Sequence, residues 1–190
     1  MAKLKTTTKV ITNEVRASYV HVFAPQTDDN GNEKYSAALL IDKNDTETIE
    51  VIEEAYQNAL TEGASKFGGK IPPTLKKGTI LRDGDDEKPD DEAYEGKLFI
   101  NVRSNSKPQV VKSANGRMVL IEDEDEFYSG VYCKASINLF AYNHPSGGKG
   151  VSAGLNNLFK TRDGERLAGS ANAASDFDDE FEDSAEDFLD

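Results

Sequence analysis

A seven-residue segment near the middle of the chain alternates strictly between two kinds of side chain. Residues 97–103 read KLFINVR, and successive side chains of a β-strand point to opposite faces. The apolar row is Leu98, Ile100 and Val102, and the basic, aromatic and amide row is Lys97, Phe99, Asn101 and Arg103. The pattern predicts a strand with one face in a core, and it constrains the fold class more than any other segment.

Similar strand patterns occur in several other parts of the chain. Residues 15–23 (VRASYVHVF) and 34–41 (KYSAALLI) flank an Asn-Gly turn, which predicts a hairpin. We expect Tyr19, His21 and Phe23 to share one face of the first strand. Residues 132–142 (YCKASINLFAY) repeat the alternation, a second hairpin is expected around residues 114–116, and a last strand is expected near residues 151–160.

Helical periodicity is clear in only one segment. Between residues 45 and 67 the apolar positions follow one helical face, and the segment ends at a Gly-Gly pair followed by two prolines. Tyr56 lies on that face and is assigned to the core. Five or more strands with one helix after the second predict a mainly β protein, either a small barrel or a sandwich.

The net charge of -13 is unevenly distributed. Residues 175–190 hold nine acids and no base, which leaves the rest of the chain at -4. Residues 83–95 add eight acids with one base, and residues 122–126 add five acids. The remaining framework has 13 acids and 21 bases, enough for a basic groove if those bases share a face.

A row of cations and aromatic rings is typical of a surface that neutralises phosphates and stacks bases. The predicted DNA-binding residues are Tyr19, Lys34, Arg82, Lys97, Phe99, Asn101, Arg103, Lys107, Lys112, Tyr132, Lys134 and Tyr142. The alternative for Phe99 is that its ring packs under a loop. No role follows from the sequence for the long connection at residues 70–96.

Several kinds of chemistry have little support in the sequence. One cysteine and two histidines cannot build a disulfide or a structural zinc site, and Cys133 falls on the apolar face of its strand. No phosphate-binding glycine motif occurs, so the sequence predicts neither a cofactor nor a metal site. Two alternatives stay open: an acidic scaffold protein, and a Mg²⁺-dependent nuclease using carboxylates of residues 83–92, Asp85 and Asp86 above all.

Six blocks in order give the chain a family resemblance. They are KYSAALLIDKNDTETI (34–49), KFGGKIPPTLK (66–76), LRDGDDEKPDDEAYEG (81–96), YSGVYCKASINLFAYN (128–143), GKGVSAGLNNLFKTRDGERLAG (148–169) and the acidic end. Together they resemble the single-stranded DNA-binding proteins of tailed phages. The resemblance implies an OB fold, a five-stranded Greek-key barrel, at residues 1–167, followed by a flexible linker and a disordered acidic tail at residues 168–190.

The same resemblance implies how such a protein works. It would bind single-stranded DNA without sequence preference during replication, recombination and repair of phage DNA, in the host cytoplasm. The acidic tail would compete with DNA and recruit phage or host replication and recombination proteins through Asp187, Phe188 and Leu189. A homodimer is compatible with the sequence, and no apolar segment is long enough to span a membrane.

Overall fold

The computed structural model describes residues 1–167, so the tail residues Asp187, Phe188 and Leu189 lie outside the described residues. Within this range the strands are β1 (Lys3–Leu4), β2 (Lys9–Ile11), β3 (Val15–Thr27), β4 (Glu33–Asp42), β5 (Arg82–Asp83), β6 (Lys97–Ser104), β7 (Gln109–Ala114), β8 (Arg117–Leu120), β9 (Tyr132–His144) and β10 (Gly148–Arg162). The helices are α1 (Thr46–Glu62), α2 (Pro73–Lys77) and α3 (Gly84–Glu87), with 3-10 turns at Ala64–Phe67 and Glu92–Tyr94.

Five of the strands close into a barrel. β3 pairs with β4, β4 with β6, and β9 with both β10 and β3, all antiparallel, while β10 meets β6 in parallel at Gly154 and Arg103. The ring β3-β4-β6-β10-β9 returns to β3, so each of the five strands pairs with two others of the barrel. This is the five-stranded arrangement of an OB fold, and the mainly β prediction is confirmed.

The barrel interior is filled by the apolar rows that the alternation indicated. Ile100 and Val102 of β6 are fully buried, as are Ile137 and Leu139 of β9. Cys133 lies in the same core, where burial raises the pKa of its thiol to about 12. The thiol therefore stays protonated and packs as a small apolar group.

Helix α1 packs against β9 and follows β4, the second strand of the barrel, as expected. The Asp45 side chain caps it by accepting a hydrogen bond from the Thr48 backbone N–H at 3.2 Å. Tyr56 is buried, and its hydroxyl donates to the Leu75 carbonyl at 2.9 Å, which ties the helix to α2. The assignment of Tyr56 to the core is confirmed.

The connection between α1 and β6 folds back over the barrel. Its short strand β5 pairs with β6, so that Arg82 faces Phe99 and Asp83 faces Leu98. This brings Tyr94 of the following turn onto the outer face of the sheet, where it forms a second, small cluster with Leu40 and Phe99. The connection at residues 70–96, for which the sequence predicts no role, is therefore a cover over one end of β4 and β6.

The second predicted hairpin is present as β7 and β8, with Ala114 opposite Arg117. Its two-residue turn uses Asn115 and Gly116, both at positive φ, which suits the twist of a tight hairpin. Among the described residues, no helix is long and apolar enough to cross a membrane.

Candidate nucleic-acid interface

An open cleft of about 560 Å³ lies on the outer face of β3, β4 and β6. Its lining residues are Tyr19, His21, Gln26, Ser36, Ala37, Ala38, Arg82, Lys88, Tyr94, Phe99, Asn101, Val102 and Arg103. The strand registers explain why these residues meet. His21 lies opposite Ser36, and Ser36 lies opposite Arg103, so one row of side chains crosses three strands.

The cleft collects positive charge. Arg82, Lys88 and Arg103 line it, and no Asp or Glu occurs among the described residues of its wall. The Lys88 and Arg103 side chains have no ion-pair partner within residues 1–167. Burial lowers the pKa of His21, so its ring is neutral at neutral pH. The wall thus offers cations and hydrogen-bonding groups to an anion.

Tyr19 reaches the cleft because β3 is interrupted beside it. Between the Ser18–Ala38 and His21–Ser36 pairs, β3 uses one residue more than β4, which is a β-bulge. Tyr19 has φ of 47°, in the left-handed region that non-glycine residues seldom occupy. Its ring is 47% exposed, and the Lys88 ammonium lies 5.4 Å from the ring centre. The strained backbone at Tyr19 thus coincides with an exposed aromatic ring at the edge of the cleft.

Phe99 is buried, contrary to its predicted place on an open binding face. The alternation places it on the outer face of β6, and the prediction of an open basic and aromatic row there is wrong at this position, because the ring is only 2% exposed. Tyr94 packs edge-on against it with ring centres 5.2 Å apart, and the Tyr94 hydroxyl donates to Ser18 Oγ at 3.3 Å. Phe99 packs under the connection, as in the alternative reading, and forms part of the cleft floor.

Arg82 sits at the edge of the cleft in a fixed position. Its guanidinium donates to both carboxylate oxygens of Glu87 at 2.6 to 3.0 Å, and this ion pair raises the pKa of Arg82. The charge of Arg82 is therefore partly balanced before any ligand arrives.

Four predicted lysines that are not on β9 lie outside the cleft. Lys97 pairs with Asp42 at 3.0 Å, and Lys112 pairs with Glu126 at 2.5 Å. Lys34 donates to the Asn105 side chain, and the Lys107 ammonium lies 5.9 Å from the centre of the Phe23 ring. The fold brings Tyr19, Arg82, Phe99, Asn101 and Arg103 together, and it disperses these four lysines.

The predicted residues of β9 also lie apart from the cleft. Tyr132 is half-buried, with the guanidinium carbon of Arg162 3.7 Å from its ring centre and that of Arg16 5.4 Å away. Tyr142 packs over Gly150 and beside His144, with ring centres 5.2 Å apart. Lys134 is exposed. Much of the ring surface of Tyr132 and Tyr142 is therefore already in contact with other residues of the protein.

Sequence reasoning missed eight of the residues that line the cleft: His21, Gln26, Ser36, Ala37, Ala38, Lys88, Tyr94 and Val102. His21 was assigned to the same face as Tyr19, and that pattern was the available signal. Lys88 gave no signal, because it is the single base within the acidic segment 83–95.

A second cleft of about 800 Å³ adjoins the first and shares Tyr19 and Lys88 with it. Its charge is mixed: Arg16, Lys88 and Arg166 are set against Glu87, Asp90, Asp91, Glu92 and Glu165. An anionic ligand would be attracted to the first cleft and repelled at the acidic wall of the second.

The carboxylates of the nuclease alternative have other partners. Lys43 contacts Asp83 at 2.9 Å and Asp85 at 2.7 Å, and hydrogen bonds from Lys43 lower the pKa of both acids. Within residues 1–167, no group of three or more His, Cys, Asp or Glu side chains is arranged to hold a metal ion. The acidic segment acts here as part of the cover over the barrel.

Known proteins match both the sequence and the fold. A curated relative, putative protein p50 of Acyrthosiphon pisum secondary endosymbiont phage 1, is 31% identical over 180 residues, covering 90% of this chain and 93% of the relative. The single-stranded DNA-binding protein of bacteriophage Enc34, solved in complex with ssDNA, superposes with a TM-score of 0.70 at 24% identity, over 89% of this chain and 98% of that one.

A more distant structure shares the fold. The single-stranded DNA-binding protein gp2.5 of bacteriophage T7 matches with a TM-score of 0.57 at 15% identity, over 86% of this chain and 97% of that one. The model of the family described as the ssDNA-binding protein of Enterobacter phage Enc34 matches residues 8–189. The chain belongs to this family of phage ssDNA-binding proteins.

Proposed function

We propose that this protein binds single-stranded DNA, without sequence preference, in the cleft on β3, β4 and β6. The observation that carries the proposal is the composition of the cleft wall: three cations and an exposed tyrosine, with no carboxylate among its described residues. The solved complex of the Enc34 protein with ssDNA supports it. The outer face of these strands is also where OB folds commonly bind oligonucleotides.

In this mechanism the cations and the ring act on different parts of the nucleotide. Arg103, Lys88 and Arg82 neutralise phosphates, and their counterion release makes the affinity fall with salt. Tyr19 stacks on a base, which is sequence-tolerant because every base has a π-face. The hydroxyl and amide groups of Ser36 and Asn101 lie on the same face and bond to sugar or base edges. The closed barrel keeps these groups in place.

The biological role follows from binding of this kind. A protein that coats single strands protects and organises them during replication, recombination and repair of phage DNA, which takes place in the cytoplasm of the host. The protein acts by occupancy rather than by catalysis.

The acidic tail adds a regulatory function to this proposal. Deleting residues 175–190 changes the net charge from -13 to -4, so the truncated chain should bind DNA more tightly. In the full chain the tail acids compete with DNA for the cations, and Asp187, Phe188 and Leu189 recruit phage or host replication and recombination proteins. Weaker binding by the truncated chain would contradict the competition.

The test is fluorescence anisotropy of labelled oligo-dT and of its duplex across a salt series, without added metal. We expect salt-sensitive binding that favours the single strand and leaves it intact. Arg103→Ala should weaken binding, and Lys77→Ala is the matched control because Lys77 is an exposed cation on α2 outside both clefts.

The outcomes separate the competing functions. Equal losses for Arg103→Ala and Lys77→Ala would place DNA elsewhere on the protein. No binding by the full or the tail-deleted chain at low salt would favour an acidic scaffold protein. Cutting of the DNA that appears when Mg²⁺ is added, and is lost on substitution of Asp85, would indicate a nuclease.

A further inference from the structure

Phe140 is an exposed aromatic ring outside the cleft. It lies on β9 and is 43% exposed, although a phenyl ring has no polar atom to interact with water. Within residues 1–167, Tyr19 and Phe140 are the two aromatic residues among the exposed large hydrophobic side chains. Tyr19 borders the cleft, whereas Phe140 does not line it.

The strand register connects Phe140 to the cleft. Arg103 of β6 lies opposite Gly154 of β10, and Gly154 lies opposite Asn138 of β9, so the row of side chains that crosses the cleft continues onto β9. Phe140 is two residues beyond Asn138 and therefore points to the same face. Neighbouring strands are about 4.8 Å apart, so β9 lies about 10 Å from β6 across β10.

The surface between Arg103 and Phe140 is low because the residue between them is a glycine. A Cβ atom placed on Gly154 would lie 3.7 Å from the Phe140 ring and 3.9 Å from the Arg103 carbonyl oxygen. The edge of the Phe140 ring thus extends over the glycine toward β6. A nucleotide chain that crosses β10 at this point meets no side chain from residue 154 and reaches the edge of the Phe140 ring.

The charges on the surface favour a DNA path from the cleft toward Phe140 over a path past Tyr19 into the second cleft. Beyond Tyr19 the neighbouring cleft presents five carboxylates against three cations, so its net negative charge repels phosphates. On the Phe140 side, Lys9 of β2 lies opposite Asn138 and forms no ion pair within residues 1–167. A strand that leaves the cleft past Arg103 therefore meets a cation instead of an acidic wall.

We propose that single-stranded DNA leaves the cleft past Arg103, crosses β10 over Gly154 and stacks a base on the ring of Phe140, with Lys9 near the following phosphate. This inference rests on the proposed function, because it extends the same binding path. It makes Phe140 a second stacking platform, which lies across β10 from the cleft that Tyr19 borders.

The first experiment compares the affinity of variants for oligo-dT of increasing length. Loss of one base–aromatic stack corresponds to about a 5- to 150-fold weaker affinity. We expect Phe140→Ala to show a loss in this range on long oligonucleotides and almost none on those short enough to be held by the cleft alone. Phe140→Trp should retain the affinity. Met118→Ala is the matched control, since Met118 is 73% exposed on the edge strand β8.

A second experiment uses the unaltered protein. Ultraviolet crosslinking to oligo-dT, followed by tryptic digestion and mass spectrometry, should place a thymine on Phe140 within the peptide 135–149. A crosslink on Tyr19 without one on Phe140 would overturn the extended path.

The readouts distinguish this inference from the proposed function. If Arg103→Ala weakens binding while Phe140→Ala matches Met118→Ala at every length, the cleft is the site and the extension is wrong. If Arg103→Ala has no effect at any length, the proposed cleft fails as well.

Discussion

The guanidinium carbon of Arg82 lies 5.1 Å from the centre of the Phe99 ring, so a cation covers the aromatic side chain that the strand pattern assigned to base stacking. The same guanidinium is bonded to Glu87 of α3, which belongs to the cover that holds Tyr94 against Phe99. Arg82 therefore has two roles in this structure. It helps close the sheet face under the cover, and it contributes charge to the edge of the cleft.

We predict that Glu87→Gln tightens DNA binding. The substitution removes the carboxylate that balances Arg82 and frees the guanidinium for a phosphate. Since exposed ion pairs are weak, the expected gain in affinity is about two- to fivefold at low salt. Glu54→Gln on the exposed side of α1 changes the net charge equally and is the control. Equal gains in the two variants would mean that only the net charge matters.

We predict that Phe99 contributes mainly to stability. Phe99→Ala should lower the free energy of unfolding by about 3 to 5 kcal/mol, as for other buried phenylalanines. Phe99→Leu keeps most of the volume and should cost much less. Urea unfolding of both variants, with the exposed Phe140→Ala as the comparison, measures the difference. A Phe99→Ala protein as stable as wild type would mean that the ring is not part of a packed cluster.

The barrel could be predicted from the sequence because its signal is local. One face of each strand enters the core, so the apolar residues recur every second position, as Ile100 and Val102 show. The fate of Phe99 depends on a segment that leaves the barrel after α1 and returns through β5 and Tyr94. The pattern within residues 97–103 cannot predict that Tyr94 covers Phe99, because this is a tertiary contact.

Tyr19 and Lys88 show the same limit within the site. Alternation assigned Tyr19 to the correct face, but the bulge and the positive φ that expose it depend on pairing with β4. Lys88 is surrounded by acidic residues in the sequence. Only the fold shows that its ammonium group lies beside Tyr19. Charge summed along a segment therefore concealed a cation that lines the cleft.

We predict that the attachment of the cover at Lys43 is sensitive to acid. The pKa values of Asp83 and Asp85 are lowered from 3.8 mainly by hydrogen bonds from Lys43. A lowered pKa in the folded state stabilises the fold above the unfolded value of 3.8, and this contribution is lost as pH falls below it. Lys43→Met should therefore be less stable than wild type at neutral pH, and the difference should shrink towards pH 2.

Urea unfolding across this pH range measures the difference. Lys77→Met controls for loss of a cation outside the ion pairs. A difference between Lys43→Met and wild type that stays constant below pH 3.8 would contradict the assignment.

The single thiol provides a probe for opening of the barrel. Cys133 is fully buried where β9 pairs with β3 and β10, and burial raises its pKa from 9.0 to about 12. Both effects suppress the thiolate that reacts with alkylating reagents. We predict that native Cys133 reacts at least about 10³-fold more slowly than in urea-unfolded protein, because labelling requires the core strands to separate.

Ser146→Cys, in the exposed turn between β9 and β10, supplies a thiol that should react at once. Labelling of native Cys133 at a rate close to that of the Ser146→Cys thiol would show that β9 opens without global unfolding, and the barrel would then not be the closed unit that its strand pairing indicates.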